Sequence, residues 1–165
     1  MTVDELRTLL DYHYWARDRM LDAIDPLPPD QFTRNLGNSF GSIRDTAVHV
    51  YSAEWLWHAR WIGEPPTAMI PFDRFADVAS LRAAWAAQER DVRAHLESRA
   101  RTGLDVVIEY RLLNGTPSRT GFWQMLQHVV NHASYHRGQI TTLLRQLGAA
   151  PPKSMDMITF YRERL

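Results

Sequence analysis

The stretch HVVNHASYHRGQ, residues 128–139, carries His128, His132 and His136 at steps of four. Four residues of helix turn about 400°, so successive members of this row shift only about 40° around the axis and rise about 6 Å. Two adjacent histidines so placed can offer imidazole nitrogens to one ion, whereas the outer pair sits too far apart to share it. A metal site would therefore need two of the row and a ligand from another helix. Neutral imidazole suits Zn²⁺ and other late first-row divalent ions. Seven histidines in 165 residues give only ~0.3 His-x₃-His pairs by chance placement when matches to the template are counted, so two overlapping pairs are unusual. Core histidines satisfied by hydrogen bonds remain the competing reading, and spacing alone leaves the two level.

The other histidines differ in setting. His49 lies in AVHVYSAEWLW, on a stripe with Ala53 and Leu56 and flanked by Val48 and Val50. That puts it on or near a buried face, where an unpaired imidazole is costly, and makes it the best third ligand. His58 follows Glu54 by four residues and reads as half of an exposed ion pair. His95, in the charge-rich RDVRAHLESR, reads as solvated. His13, between Tyr12 and Tyr14, reads as a packing residue that could also line a pocket.

The elements that must position these residues are mostly helical. Leu6, Leu9, Leu10, His13, Tyr14, Arg17, Met20 and Leu21 recur at helical intervals, with Thr2 and Glu5 as a capping box and Pro26 as the stop. Residues 26–42 hold at most a short helix. A second long helix is expected from Ile43 to about Ile62, capped by Ser42 and stopped by Gly63. Residues 64–72 form a loop, and Ser80 is expected to cap a third helix ending near Gly103. Residues 105–113 break the rhythm: Val106, Ile108, Tyr110 and Leu112 alternate with their neighbours and Asn114-Gly115 follows as a turn signal, which predicts a short extended excursion or hairpin. The fourth long helix runs from near Phe122 to Leu147, and a short C-terminal helix follows. Four long amphipathic segments with one extended insertion predict an all-α, single-domain helical bundle over residues 1–165.

Composition narrows the function classes. Lysine plus arginine and aspartate plus glutamate both total 19, giving a formal net charge of zero, so no long-range field favours nucleic acid. No cysteine is present, which removes thiolate ligands and a thiol nucleophile of the chain's own and fits a reducing, cytoplasmic setting. No run approaches the roughly 18 apolar residues of a membrane span. Six tryptophans and six tyrosines, among them Trp55, Trp57, Trp61 and Trp123, suggest core packing or a dimer interface.

One histidine in the second long helix, followed far downstream by HVVNHASYHRGQITTLLRQLG, resembles the DinB/YfiT family of four-helix-bundle metalloenzymes. The resemblance covers nearly the whole chain, including LLDYHYWARDRMLDAI at the start, the Asn114-Gly115 turn, and PPKSMDMITFYRE at the end. It implies a four-helix bundle in up-down-down-up order with the hairpin near residues 105–120. It also implies His49, His132 and His136 as metal ligands, with His128 one turn beyond the ion as pocket wall. Tyr135 stands where many relatives have another histidine, and Arg17 follows Tyr14-Trp15-Ala16 where relatives often have asparagine, which bears on the polarity of the pocket.

Three neutral histidines leave coordination positions open, as in catalytic sites. The ion keeps its full charge and can lower the pKa of water, to about 7 in the best-known three-histidine zinc site, or of a thiol. Hydrolysis and thiol addition are the two reaction types that follow. Residues 133–135 are Ala-Ser-Tyr, so no HExxH glutamate is available as a base for hydrolysis. Some relatives are transferases or isomerases that use low-molecular-weight thiols. The resemblance thus implies a metal-dependent S-transferase that takes a small-molecule substrate and an external thiol; the imidazole ligands point to zinc or nickel, and the aromatic content to a homodimer. A metal-dependent hydrolase, or a dimeric stress-response binding protein with a structural metal or none, are the alternatives. Gln139, three residues after His136, is expected to reach a water at the ion, and Tyr135 to line the pocket. Arg137 is expected to pair with a carboxylate, and Gly138, which costs roughly 1 kcal/mol against alanine in mid-helix, to mark a close helix approach.

Overall fold

A computed structural model describes residues 1–165, and it is mostly helical with one two-stranded sheet. Helix α1 (Val3–Ile24) starts at the expected capping box: Glu5 N–H donates to Thr2 Oγ1 at 3.2 Å, and Thr2 N–H to the Glu5 carboxylate at 2.7 Å. A single turn, α2 (Pro29–Phe32), interrupts the following loop. Helix α3 (Ile43–Trp61) is capped by Ser42, whose Oγ accepts from Asp45 N–H at 3.0 Å. Gly63 then turns the chain at φ +82°, a conformation glycine adopts without the Cβ clash that other residues incur.

After a 3₁₀ turn at Phe72–Arg74 comes α4 (Val78–Thr102). Its cap is Asp77 rather than Ser80; Asp77 Oδ1 accepts from Ser80 N–H at 2.8 Å. In the string Asp-Val-Ala-Ser both ends are good capping residues, and the carboxylate, three positions upstream, takes the orphan donor. Strands β1 (Val107–Arg111) and β2 (Pro117–Gly121) pair antiparallel, with Ile108 opposite Thr120 and Tyr110 opposite Ser118. The even-numbered side chains of β1 are half-buried and the odd ones exposed, so the alternation expected at Val106, Ile108 and Tyr110 is present. Helix α5 (Phe122–Gln146) follows directly, and α6 (Met157–Arg162) lies against α1.

Helix α1 packs on α4 and α5, and α3 packs mainly on α5 and also on α4. The apolar stripes of these four helices enclose one cluster of 31 buried residues, with Trp85, Phe122, Met20 and Met125 among its largest fully buried members. No helix is long and apolar enough to cross a membrane.

A polar knot sits within this core. Glu54 of α3, 1% exposed, accepts from His13 Nε2–H at 2.8 Å, Tyr14 O–H at 2.9 Å and Trp85 Nε1–H at 2.7 Å. Burial alone would raise its pKa, but the hydrogen bonds from His13, Trp85 and Tyr14 outweigh it and hold the carboxyl below its ordinary value. Burial depresses the pKa of His13, while its hydrogen bond to Glu54 and the charge of that carboxylate act the other way.

Candidate metal centre

His49 projects from α3 towards α5, where His132 and His136 occupy successive turns. The three Nε2 atoms converge, His132 lying 3.2 Å from His49 and 3.1 Å from His136. All three ligand atoms fall within 4.8 Å of one another, and no fourth histidine or carboxylate joins the group. Nitrogens held at about 2.0–2.1 Å by a tetrahedral zinc sit about 3.3 Å apart, so the spacing around His132 fits a shared ion. The local chemistry fits as well. His132 Nε2 touches both partners yet carries one hydrogen at most, and one hydrogen cannot lie along both contacts. A cation among them meets all three lone pairs.

Burial and mutual proximity hold the His49 and His132 rings neutral. The pKa of His49 is lowered to about 4, by burial and then by His136. That of His132 falls to about 3, by burial and then by His136, His49 and His128. Neutral imidazole is the form that ligates. His136 is further oriented from behind: its Nδ1–H donates to Gln139 Oε1 at 2.7 Å, which fixes the tautomer and leaves Nε2 free towards the other two rings. Gln139 is thus bonded to the ring itself rather than reaching forward to a water.

Phe40, from the loop before α3, covers the trio. Its ring stacks on His49 at 4.0 Å and 20° and meets His136 edge-on at 5.4 Å. The loop is held by Leu36 N–H donating to Gly41 O at 2.7 Å and by Asn38 Nδ2 donating to Thr46 Oγ1 at 3.0 Å. Sequence reasoning missed Phe40. A large aromatic between Gly37 and Gly41, in a loop with no helical stripe to join, was the available signal.

The remaining histidines part company with the trio. His128 is exposed and packs edge-on against Trp57 at 5.2 Å, with its ring 5.7 Å from that of His132. His13 is fully buried on Glu54 and does not reach the trio. His58 does not form the expected exposed pair with Glu54, because that carboxylate turns inward; its ring instead lies 5.8 Å from His95. His95 is not solvated. It stacks on Trp61 at 6.0 Å and lies 5.5 Å from Phe122, and burial, then Arg99 and His58, lower its pKa to about 4.

Four further residues, three within the motif and one on α1, also differ from expectation or add to it. Arg137 is buried but pairs with hydroxyls, Ser134 Oγ at 2.7 Å and Tyr12 Oη at 3.3 Å, rather than with a carboxylate. Gly138 has open space where a Cβ would stand, so no close helix approach explains it. Tyr135 is 67% exposed and meets His136 edge-on at 5.0 Å. Arg17 is drawn to Asp18 at 2.9 Å and Glu89 at 2.8 Å, at the contact of α1 with α4.

Fold and site together define a mostly helical protein with a three-histidine cluster held between two long helices. The chain belongs to the DinB family, whose pattern it matches over residues 1–163. It is similar to Protein DinB of Bacillus subtilis (strain 168), with 27% identity over 163 residues and 92% of each chain covered. A crystal structure of a DinB-like protein from Bacillus cereus ATCC 10987 has the same fold, with a TM-score of 0.66, 18% identity, and 88% of this chain and 95% of that one covered.

Proposed function

We propose that this DinB-family chain is a metal-dependent enzyme in which His49, His132 and His136 hold a divalent ion, zinc or nickel. Its favoured reaction class is transfer of a low-molecular-weight thiol to a small electrophile. The convergence of the His49 and His136 Nε2 atoms on that of His132, at 3.2 and 3.1 Å, is the observation that carries this reading. When bound, the ion would supply Lewis acidity that lowers the pKa of a thiol or water.

The chain's own residues would do the rest. Gln139 holds the His136 ring in the ligating tautomer. Phe40 shields the His49 face from water. His128, Tyr135 and Trp57 would border the solvent-facing approach. No carboxylate in the group is placed to act as a base, which favours thiol transfer over hydrolysis. The same reading takes the chain as one domain, an up-down-down-up bundle that works in the cytoplasm as a homodimer, and light scattering of the purified protein tests the last point.

Metal analysis decides the ligand set. About one ion per chain is expected, falling sharply in His49→Ala, His132→Ala and His136→Ala and little in His128→Ala. Full metal retention in His49→Ala sinks the proposal. Turnover of electrophiles with a panel of small thiols then tests the reaction class; activity with water alone would replace transfer by hydrolysis.

A further inference from the structure

Beyond the C-terminal end of α3 a cleft of about 580 Å³ opens against the β1–β2 hairpin, lined by Arg60, Arg111, Arg119, Glu109 and Ser118 among others. Three arginines face one glutamate there. Arg60 is the unusual member. It is 5% exposed, and its guanidinium lies 4.6 Å from the Trp57 ring and 4.9 Å from the Tyr110 ring. Its Nε is enclosed without a hydrogen-bond partner. Burial pulls its pKa below the usual arginine value, with only the Tyr110 phenol acting the other way. The other enclosed arginines have oxygen partners: carboxylates for Arg17, hydroxyls for Arg137. A buried cation without a counter-charge is costly to keep.

We infer that this cleft is a binding subsite for the oxyanion of a small molecule, a carboxylate or a phosphate, taken by the Arg60 fork and flanked by Arg111 and Arg119. Two aromatic faces fix the plane of the guanidinium; its Nε is enclosed and its two Nη groups are not, and that pair of donors can read an oxyanion in bidentate fashion. The hairpin positions the flanking charges: Arg119 stands opposite Glu109 in the ladder and Arg111 opposite Pro117. Arg111 Nη1 is also tied to Gly115 O at 2.9 Å.

The place of this cleft gives it a use. Arg60 follows His49 by eleven residues, three helical turns, so it sits about 16 Å further along α3 and only about 20° around it. Trp57 and His128 bridge the interval to His132. The oxyanion would be the tail of an elongated molecule whose reacting end lies at the trio. That last step, unlike the subsite itself, rests on the metal reading.

Calorimetric titration of the full-length protein, as purified and again in EDTA, with inorganic phosphate and with succinate tests the subsite. Ionic strength is held constant with chloride. Binding of at least one probe in both states is expected, weakened roughly tenfold in Arg60→Gln and several-fold in Arg111→Gln/Arg119→Gln. The second variant alters only exposed hairpin positions, so its melting should match the parent, and it keeps the test decisive if Arg60→Gln fails to fold. Absence of binding beyond that of chloride, or unchanged affinity in the double variant, overturns the inference. Binding in a protein that takes up no metal leaves the subsite standing and removes only the metal reading.

Discussion

Replacement of Gln139 by leucine separates an orienting hydrogen bond from mere packing. The two side chains are similar in size, so Gln139→Leu keeps the contact of a half-buried position while removing the acceptor 2.7 Å from His136 Nδ1. His136 is itself buried, and its N–H would be left without a partner, at a cost of about 1–3 kcal/mol to the metal-free fold. The affinity loss is a different quantity. The bond exists with or without an ion, so only its strengthening when Nε2 donates its lone pair enters the binding free energy. Partners of this kind are typically worth 10–100-fold, and the neutral amide belongs near the lower end, about 1.4 kcal/mol. Competition for zinc against a chromogenic chelator measures the affinity, and urea denaturation in EDTA measures the fold. Gln139→Glu, which restores a stronger acceptor, should recover affinity. Wild-type zinc affinity in Gln139→Leu would show that His136 does not ligate through the nitrogen opposite Gln139.

Zinc at a hundredfold excess over Kd should raise unfolding stability by about 2.7 kcal/mol; His132→Ala should abolish the rise and His128→Ala keep it, as read by denaturation with and without metal. Glu54→Ala should cost about 3–5 kcal/mol in EDTA, since it strips the acceptor from three buried donors; an unchanged urea midpoint would contradict the polar knot. His95 gives a signed pH dependence. Its folded pKa of about 4 lies below the ordinary 6.5, so the unfolded chain takes the proton first as pH falls. The contribution of the neutral ring is whole above pH 6.5, declines between 6.5 and 4, and is gone below. With solvent screening of a half-buried ring the swing is about 1 kcal/mol, and denaturation of His95→Asn across that window should show a shallower acid loss by this amount.

Much of the fold was legible because its punctuation is local. Ser42 and Gly63 bracket α3, and Asn114-Gly115 turns the hairpin, by chemistry that needs no distant partner. The histidine row was legible for the same reason, since a four-residue spacing fixes a face. The third member was reached through the stripe around His49 and the family resemblance. What escaped was convergence in three dimensions. Glu54 followed by His58 looked like a surface pair, yet its partners come from positions 13, 14 and 85, on two other helices. His95 sits in a charged window, but its own face meets Trp61 and Phe122. The aromatic set between Gly37 and Gly41 marks Phe40 as unusual, but its partner at residue 49 is fixed only by the loop's path in three dimensions.

Glu54 also bears on why a site like this can be held at all. It lies five residues after His49, about 140° around α3, so the helix turns one side to a polar anchor and another to α5. Apolar packing tolerates small axial rotations, because methyl groups slide past one another with little loss. A side-chain atom about 6 Å from the axis swings about 2 Å when its helix rotates by 20°, whereas a functional constellation tolerates about 0.5 Å. Three short, directional hydrogen bonds from α1 and α4 resist that rotation, and burial of the knot strengthens them. The buried carboxylate, which touches none of the three imidazoles, thus sets the rotation of the helix that presents His49. Its desolvation is a cost borne by the core, and the directional precision it supplies appears one and a half turns away, where His49 meets His132.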